Sequence, residues 1–296
     1  MTGAGGGRIR GERDGGGTDQ ALTRGERERI EEQAAPRAIA VHEIVRHEGE
    51  IELDRPLSAL VWSGLAAGLS MGFSMVGEGL LRAGLPDAPW RPLFASFGYS
   101  LGFLIVILGR QQLFTESTLT AVLPVLYRRD LSSLAGLGRV WSVVFTANIA
   151  GTIAFAFVVA EGEVFRPEAA AAFLELGRHA LGEDFGPTLL RAVFAGWLIG
   201  LMVWLLPAAG SARPLIIILL TYMVSLGRLS HVIAGSSEAA YAVIAGGAPW
   251  ADYLVRFLLP TLIGNTIGGV MLVALVNHAQ VASELEATPG QPRDHQ

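Results

Sequence analysis

The sequence predicts an all-α polytopic membrane protein with six transmembrane helices, arranged as two inverted three-helix repeats. Three observations support this fold class. Residues 57–281 contain only 12 Arg and 12 acidic residues in 225 positions, whereas about a quarter of the residues of a soluble domain are charged. This region holds four uninterrupted apolar stretches near 20 residues long and two more that polar residues interrupt. The interrupted stretches are the second and the fifth, so each set of three has a break in its middle member.

The composition excludes several function classes. The net charge of −5 lies entirely in the two termini, so the chain lacks the basic footprint of a nucleic-acid-binding protein. It has no Cys, and all 22 basic residues are Arg, which excludes disulfides, thiolate metal sites, Schiff-base lysines and a Lys-dependent phosphate loop. Nucleophile-elbow and zinc-protease motifs are also missing. We therefore expect a protein that is not an enzyme, with no cofactor and no metal.

The chain divides into three regions. Residues 1–52 are expected to be a cytoplasmic, partly disordered tail, residues 53–280 the six-helix transmembrane domain, and residues 281–296 a disordered C-terminal tail. The first 19 residues are rich in Gly and Arg, which is typical of disorder. Residues 20–52 contain a candidate amphipathic helix, which is either solvated or lies along the membrane surface or a partner. Its predicted apolar side consists of Val41, Ile44, Val45 and, less clearly, Ile51.

Four apolar stretches are long enough to cross the bilayer without a break. About 20 apolar residues are needed for a helix to span the hydrocarbon core. The first three lie between charged residues, the fourth follows Arg256, and none contains a charged residue. They cover residues 57–77, 140–160, 192–212 and 257–276.

The other two spans, 92–126 and 214–248, contain polar segments in their middle. Non-helical backbone at membrane depth is tolerated only inside protein or beside a water-filled cavity. The uninterrupted spans repeat in the same order around these breaks. Gly64 and Gly68 in the first span correspond to Gly196 and Gly200 in the fourth, and Asn148 in the third corresponds to Asn265 in the sixth. We expect the glycines to permit close helix packing and the asparagines to act as structural polar residues between helices.

The breaks contain the candidate functional residues. An ionisable side chain at membrane depth is costly and marks a site, and the candidates are Arg110, Glu116, Arg228, His231 and Glu238. His231 can exchange a proton near neutral pH, and Thr115 adds a hydroxyl group. We expect an Arg to pair with Glu116, with Glu238 available to the other Arg. Leu113 and Phe114, beside the polar turn, suit a narrow apolar constriction.

The run from Gly109 to Thr118 resembles the pore loop of the formate/nitrite transporter family, whose core reads Leu-Phe-Thr. His231 after its turn resembles the central pore histidine, and the run from Leu262 to Gly269 resembles the signature of the last helix. Pro56-Leu57 also fits, and the resemblance covers residues 55–278. It implies an aquaporin-like protomer in a homopentamer, with one pore per subunit and both termini in the cytoplasm of an inner (plasma) membrane protein. It also implies passage of small monovalent anions or their weak acids, with proton exchange at His231 beside Thr115 and the constriction residue Leu113.

Four residues depart from the pattern of the familiar formate and nitrite members. Glu116 stands where those members carry Ser, and Ser230 stands where they carry an acid. Arg228 has no equivalent charge in them, and Gly200 occupies a position where they often carry Asn. These features resemble the YfdC-like branch of the family. Two alternatives to a weak-acid anion pore therefore remain: a pore of the same fold for a small neutral or cationic solute, and a membrane scaffold or sensor whose tail binds a partner. The Arg residues that flank the spans are balanced between the two sides, so charge alone gives no orientation.

Overall fold

A computed structural model describes residues 23, 25–26 and 36–286, apart from the side chains of 284–286. The chain divides into two compact units, Met1–Arg37 and Ala38–Gln296. Within the first, the Thr23 hydroxyl donates to the Glu26 carboxylate at 2.7 Å. The disorder predicted for residues 1–19, and for the C-terminal tail beyond residue 286, lies outside the described residues.

The described part of the second unit is built from helices, and its last helix extends to Glu286, past the predicted boundary at residue 280. Two π-helical stretches, Tyr253–Leu258 and Gly268–Leu275, lie within that last helix. The helices are α1 (Ala38–Asp54), α2 (Leu57–Gly84), α3 (Arg91–Leu108), α4 (Phe114–Ser117), α5 (Val122–Arg128), α6 (Leu131–Glu161), α7 (Pro167–Leu181), α8 (Phe185–Leu205), α9 (Arg213–Leu226), α10 (Ala234–Ile244) and α11 (residues 250–286).

Among the described residues, five helices are long and apolar enough to cross a membrane: α2, α3, α6, α8 with its short continuation, and α11. The shorter apolar helix over Gly210–Leu226 contains α9. The predicted second span is α3, α4 and α5 in sequence, and the predicted fifth span is α9 followed by α10. Both breaks are therefore found where the sequence predicts them, and the fold is the predicted all-α membrane architecture.

Helix α1 packs against the transmembrane helices within the second unit. Its buried face includes Val41, Val45 and Leu53. The prediction that Ile44 and Ile51 share this face is wrong, because their side chains are 43% and 55% exposed. The buried residues follow a spacing of about four, and Ile44 is rotated by about 100° from Val45 on a helix of 3.6 residues per turn.

Helix α7 lies in the connection between the third and fourth spans, where the sequence predicts no membrane span. It buries Ala169, Phe173 and Leu176 along one side and packs against α10 and α2. It begins with Pro167 at its first position, where the missing N–H is harmless. An additional helix therefore covers the second interrupted span.

Each repeat is held together by an equivalent crossing of its two uninterrupted helices. In the first repeat, a Cβ on Gly68 would lie 2.2 Å from the Asn148 carbonyl oxygen. In the second, a Cβ on Gly196 would lie 2.3 Å from the Asn265 carbonyl oxygen. Only glycine permits backbones to approach this closely. The predicted packing role of these small residues is thus realised in both halves.

Candidate functional site

The two breaks begin with the same backbone turn. Helices α3 and α9 are each followed by a glycine and then by an Arg. The backbone of this Arg is in the left-handed region, with φ of 54° at Arg110 and 49° at Arg228. The next N–H then closes a six-residue Schellman turn. The closing hydrogen bonds run from Gln111 N to Val106 O (3.0 Å) and from Leu229 N to Val224 O (2.9 Å).

An asparagine from a neighbouring helix holds each break. The Asn148 side-chain oxygen accepts from the Phe114 N–H, and the Asn265 side-chain oxygen accepts from the Val232 N–H. Each amide nitrogen donates to two carbonyls, one in the break and one in a neighbouring uninterrupted helix. The six bonds are Phe114 N–Asn148 Oδ1 (2.9 Å), Asn148 Nδ2–Gly64 O (2.7 Å), Asn148 Nδ2–Gln112 O (3.0 Å), Val232 N–Asn265 Oδ1 (2.8 Å), Asn265 Nδ2–Ala192 O (2.8 Å) and Asn265 Nδ2–Ser230 O (2.9 Å).

The breaks meet at Thr115 and His231. The Thr115 Oγ1 atom lies 2.8 Å from His231 Nε2, and both side chains are buried. The Ala234 N–H donates to His231 Nδ1 at 3.2 Å, so in the neutral imidazole the hydrogen is on Nε2 and is donated to Thr115. The Thr115 hydroxyl keeps its own hydrogen for another acceptor.

The apolar surroundings of this contact differ in part from the prediction. Leu113 is fully buried in the core. The ring of Phe114 instead packs edge-on against Trp141 and Phe145, at centroid distances of 5.9 and 5.1 Å. The ring in edge-on contact with His231 is that of Phe103, at 5.0 Å. Phe103 lies within an apolar helix, and its sequence has no feature that separates it from ordinary core residues.

A cavity lies on the α1 side of the Thr115–His231 contact. It is lined by Glu116 and Arg110 from the break, by Glu48 and Glu52 of α1, by Arg55 directly after α1, and by Arg213 of α9. Arg110 is 74% exposed and pairs with Glu48 at 3.4 Å.

A second cavity includes His231 itself and lies on the α7 side. Within its lining, the Glu78 carboxylate accepts from Ser225 Oγ at 2.7 Å and lies 3.4 Å from Arg82 Nε. Arg82 in turn pairs with Glu175 of α7 at 2.6 Å. Glu238, from α10, lines the same cavity. His231 therefore lines one of two cavities that contain charged side chains, and Glu116, the neighbour of Thr115, lines the other.

The predicted pairing of Arg residues with Glu116 and Glu238 is not formed. Arg110 pairs with Glu48, and Arg228 Nη1 contacts His179 Nε2 of α7. Burial first, and then the guanidinium groups of Arg228 and Arg82, lower the pKa of His179, so His179 is a neutral acceptor at pH 7. Within residues 36–286, no cluster of three or more His, Asp or Glu side chains is arranged to hold a metal ion.

One buried carboxyl group, that of Glu52 in α1, lies outside the predicted membrane domain. Glu52 Oε1 accepts from Gln112 Nε2 at 2.5 Å and also from Ser117 Oγ, and Oε2 accepts from Thr120 Oγ1 at 2.6 Å. Burial raises the pKa of Glu52, and these hydrogen bonds and Arg55 act in the opposite direction. In the sequence, Glu52 is one of four Glu residues in α1, and its residue type does not distinguish it from Glu43, Glu48 and Glu50. A signal was nevertheless present, because Glu52 follows Val41, Val45 and Gly49 on one helical face.

Comparison with known proteins agrees with this architecture. The family model described as formate/nitrite transporter matches residues 39–279. The inner membrane protein YfdC of Escherichia coli strain K12 is 42% identical over 263 residues, which cover 88% of this chain and 85% of that protein. The formate channel BtFdhC of Bacillus thuringiensis is 27% identical over 253 residues, covering 81% and 93% of the two chains.

Two solved structures share the fold. A pentameric formate channel with formate bound has a TM-score of 0.66 at 21% identity, covering 76% of this chain and 98% of that one. A structure described as an ion channel of the same family has a TM-score of 0.69 at 19% identity, covering 85% and 99%. The chain belongs to the formate/nitrite transporter family, and it is accordingly a membrane channel or transporter rather than an enzyme.

Proposed function

We propose that this protein carries small monovalent weak-acid anions, or their undissociated acids, across the membrane, with proton exchange at His231. The observation that carries the proposal is the buried contact of 2.8 Å between Thr115 and His231, with His231 lining one cavity and Glu116, next to Thr115, lining another. Imidazole is the side chain whose ordinary pKa is closest to neutral pH. The formate channels among its relatives and structural neighbours support a substrate of this class.

The chemistry follows from the donors at the centre. The Thr115 hydroxyl accepts from neutral His231 and can donate its own hydrogen to an anion oxygen. Uptake of a proton from one cavity converts the imidazole to imidazolium, and transfer of that proton to the anion restores the neutral ring and yields an uncharged acid. The acid then passes Leu113 and Phe103 at a much lower desolvation cost than the anion.

The proposal includes assembly and orientation. We propose a homopentamer in the inner membrane with one pore per subunit and both termini in the cytoplasm. The pentameric formate channel among the structural neighbours supports the assembly, and the name of the Escherichia coli relative supports the membrane. Exposed apolar side chains on the spans, such as Trp62, Phe73 and Phe94, suit contact with lipid or with neighbouring subunits.

A second candidate is a pore for a small neutral or cationic solute. Glu116 favours it, since this carboxyl group lines one cavity together with Glu48 and Glu52. An ionised Glu116 attracts cations and repels anions. The weak-acid proposal requires Glu116 to be protonated or to have its charge offset by Arg110, Arg55 or Arg213, which line the same cavity.

Uptake into proteoliposomes tests both candidates. Stopped-flow swelling is measured with formate, nitrite, ammonium and water, between pH 5 and 8. We expect formate and nitrite uptake that rises as the pH falls, and a loss of about tenfold or more in His231→Ala and in Thr115→Val. His47→Ala is the control, since His47 is 70% exposed on α1. Ammonium uptake without any anion uptake would favour the second candidate and contradict the first.

A further inference from the structure

The carboxyl group of Glu52 joins helix α1 to the break of the second span. Glu52 lies in the last turn of α1 and is buried. Its three hydrogen-bond donors, Gln112, Ser117 and Thr120, all belong to the break and the turn that follows it. They lie on both sides of Thr115 in the sequence, so one carboxyl group ties together the segment that presents Thr115 to His231.

Several contacts make this arrangement close and specific. A Cβ on Gly49, three residues before Glu52, would lie 2.0 Å from the Thr120 carbonyl oxygen, so the backbone of α1 touches the end of the break. Arg55 Nη1 donates to the Gln112 side-chain oxygen at 2.7 Å. The side-chain amide of Gln112 therefore donates through its nitrogen to Glu52 and accepts through its oxygen from Arg55. These two hydrogen bonds fix the orientation of the amide.

A simple anchor for α1 would not need a carboxyl group at this position. Burying an ionisable group is costly unless its hydrogen bonds are satisfied. Ion pairs within α1, such as Arg46 with Glu43 at 2.7 Å, already stabilise the helix locally. The partners of Glu52 are instead three side chains of the break. An acceptor that holds several donors at once fixes their relative positions.

We propose that Glu52 is a positioning residue, which holds residues 112–120 so that the Thr115 hydroxyl meets His231. The inference depends on the proposed function for its effect on transport, but the geometric part is independent of it. Thr115 and His231 form the contact between the cavities, and Glu52 acts on this contact through the backbone of the break.

Transport by two Glu52 variants tests the geometric requirement. In Glu52→Ala the three donors lose their shared acceptor, and we expect the uptake rate to fall about tenfold, as for loss of a buried hydrogen-bond partner. In Glu52→Gln we expect recovery to within about threefold of the wild type. The amide oxygen can accept from Ser117 and Gln112, and the Thr120 hydroxyl, 3.3 Å from the Glu116 carbonyl oxygen, can donate there and accept from the new amide. The control Glu43→Ala, at an exposed site on the same helix, should stay within about twofold.

A double-mutant cycle with Thr115→Val identifies the route of the effect. If Glu52 acts through Thr115, the double variant should transport no more slowly than the slower single variant. If the fold reductions in uptake rate of the two single variants multiply in the double variant, the proposal is overturned, since Glu52 would then act on transport by another route.

Trp141 provides a readout that does not depend on transport. Its indole N–H donates to the Ser117 carbonyl oxygen at 3.0 Å, so the ¹⁹F signal of 5-fluorotryptophan at position 141, assigned with Trp141→Phe, reports on the break. We expect this signal to shift in Glu52→Ala, to return in Glu52→Gln and to stay in place in Glu43→Ala. An unchanged signal in Glu52→Ala overturns the proposal. A shifted signal in a protein whose His231→Ala variant transports normally would contradict the proposed function alone.

Discussion

At the residue scale, Asn148 and Asn265 are the side chains that make an interrupted span tolerable inside a membrane. Each break exposes backbone groups that have no helical partner, and unpaired groups at this depth cost several kcal/mol each. Each asparagine pairs with one N–H and two carbonyls, which uses its whole donor capacity. The two breaks therefore depend on one residue type in equivalent positions.

Replacing either asparagine should destabilise the fold strongly. In Asn265→Ala the Val232 N–H and the carbonyls of Ala192 and Ser230 lose their partner, and we expect a cost of about 2–4 kcal/mol. The melting temperature in detergent should fall by roughly 5–10 °C. Asn277→Ala, in the same helix but away from the breaks, should change it by about 1–2 °C at most. Equal shifts in the two variants would contradict the clamp role.

The asparagines also indicate what could be predicted from the sequence at this scale. Their recurrence at the same position in the two halves predicts a polar role between helices, but it does not identify the backbone groups that they bind. The same limit applies to the contact between Thr115 and His231, which lie 116 residues apart. The spacing of polar residues along the sequence identifies the two breaks. The contact between the breaks depends on how the six spans cross in three dimensions, which that spacing does not reveal. The partners assigned to Arg110 and Arg228 were wrong because helices α1 and α7 supply nearer ones.

At the element scale, close crossings of glycine-containing helices set the positions of the breaks. Gly68→Ala would place a methyl group 2.2 Å from the Asn148 carbonyl oxygen, a backbone atom that cannot move without its helix. We expect a loss of about 1–3 kcal/mol and reduced transport, measured by thermal unfolding and by uptake. Gly84→Ala is the matched control at the end of the same helix, since no atom lies within 4 Å of its new methyl group. A neutral Gly68→Ala would disprove the close crossing.

Helix α1 is also held by a histidine pair, which predicts a pH dependence. His42 Nε2 lies 3.1 Å from His278 Nδ1, and the Trp204 ring, the Glu43 carboxylate and Arg46 are the other groups near His42. Burial first, and then His278, lower the pKa of His42. The folded state therefore favours neutral His42, and its contribution to stability is complete above the ordinary pKa of about 6.5 and is lost as the pH falls below that value.

Hydrogen exchange measures this effect locally. After correction for intrinsic rates, the amides of Ala38–Asp54 should lose protection between pH 7.5 and 5.5 in the wild type. His42→Phe should flatten this dependence, because the titrating group of the pair on α1 is gone. His47→Phe, at an exposed position of the same helix, should keep it. A pH dependence that survives in His42→Phe would assign the loss to another group.

Helix α7 shows where prediction from hydropathy fails. The long spans are predictable because an apolar run of about 20 residues has few alternatives. Helix α7 is amphipathic, with Ala169, Phe173 and Leu176 spaced by three or four residues, and this short stripe lies among acidic residues. Its burial comes from α10 and α2, which a search for membrane spans does not consider. Periodicity, rather than mean hydropathy, is the signal that could have revealed it.

At the scale of the whole molecule, the charged cavities define two ends of one path. Helix α2 has 28 residues and is therefore about 42 Å long, more than the thickness of a hydrocarbon core. Helix α2 begins directly after α1, and side chains of α1 line the first cavity. Near the other end of α2, Arg82 lines the second cavity and pairs with Glu175 of α7. Helix α1 also contacts α11 through His42 and His278. The beginning and the end of the described membrane unit therefore lie on one face, and α7 lies on the other.

This arrangement predicts which positions each side of the membrane can reach. The chain contains no Cys, so single Cys substitutions can be labelled without background. With both ends of the membrane unit in the cytoplasm, Glu168→Cys, exposed in α7, should react with a membrane-impermeant maleimide added to intact cells or spheroplasts. Ala279→Cys, exposed in α11, should react only after the membrane is opened, because the polar reagent cannot cross the bilayer. Labelling of both positions from outside would contradict the two-sided arrangement of α7 and α11. The reverse pattern would keep that arrangement and place both ends of the membrane unit outside the cell.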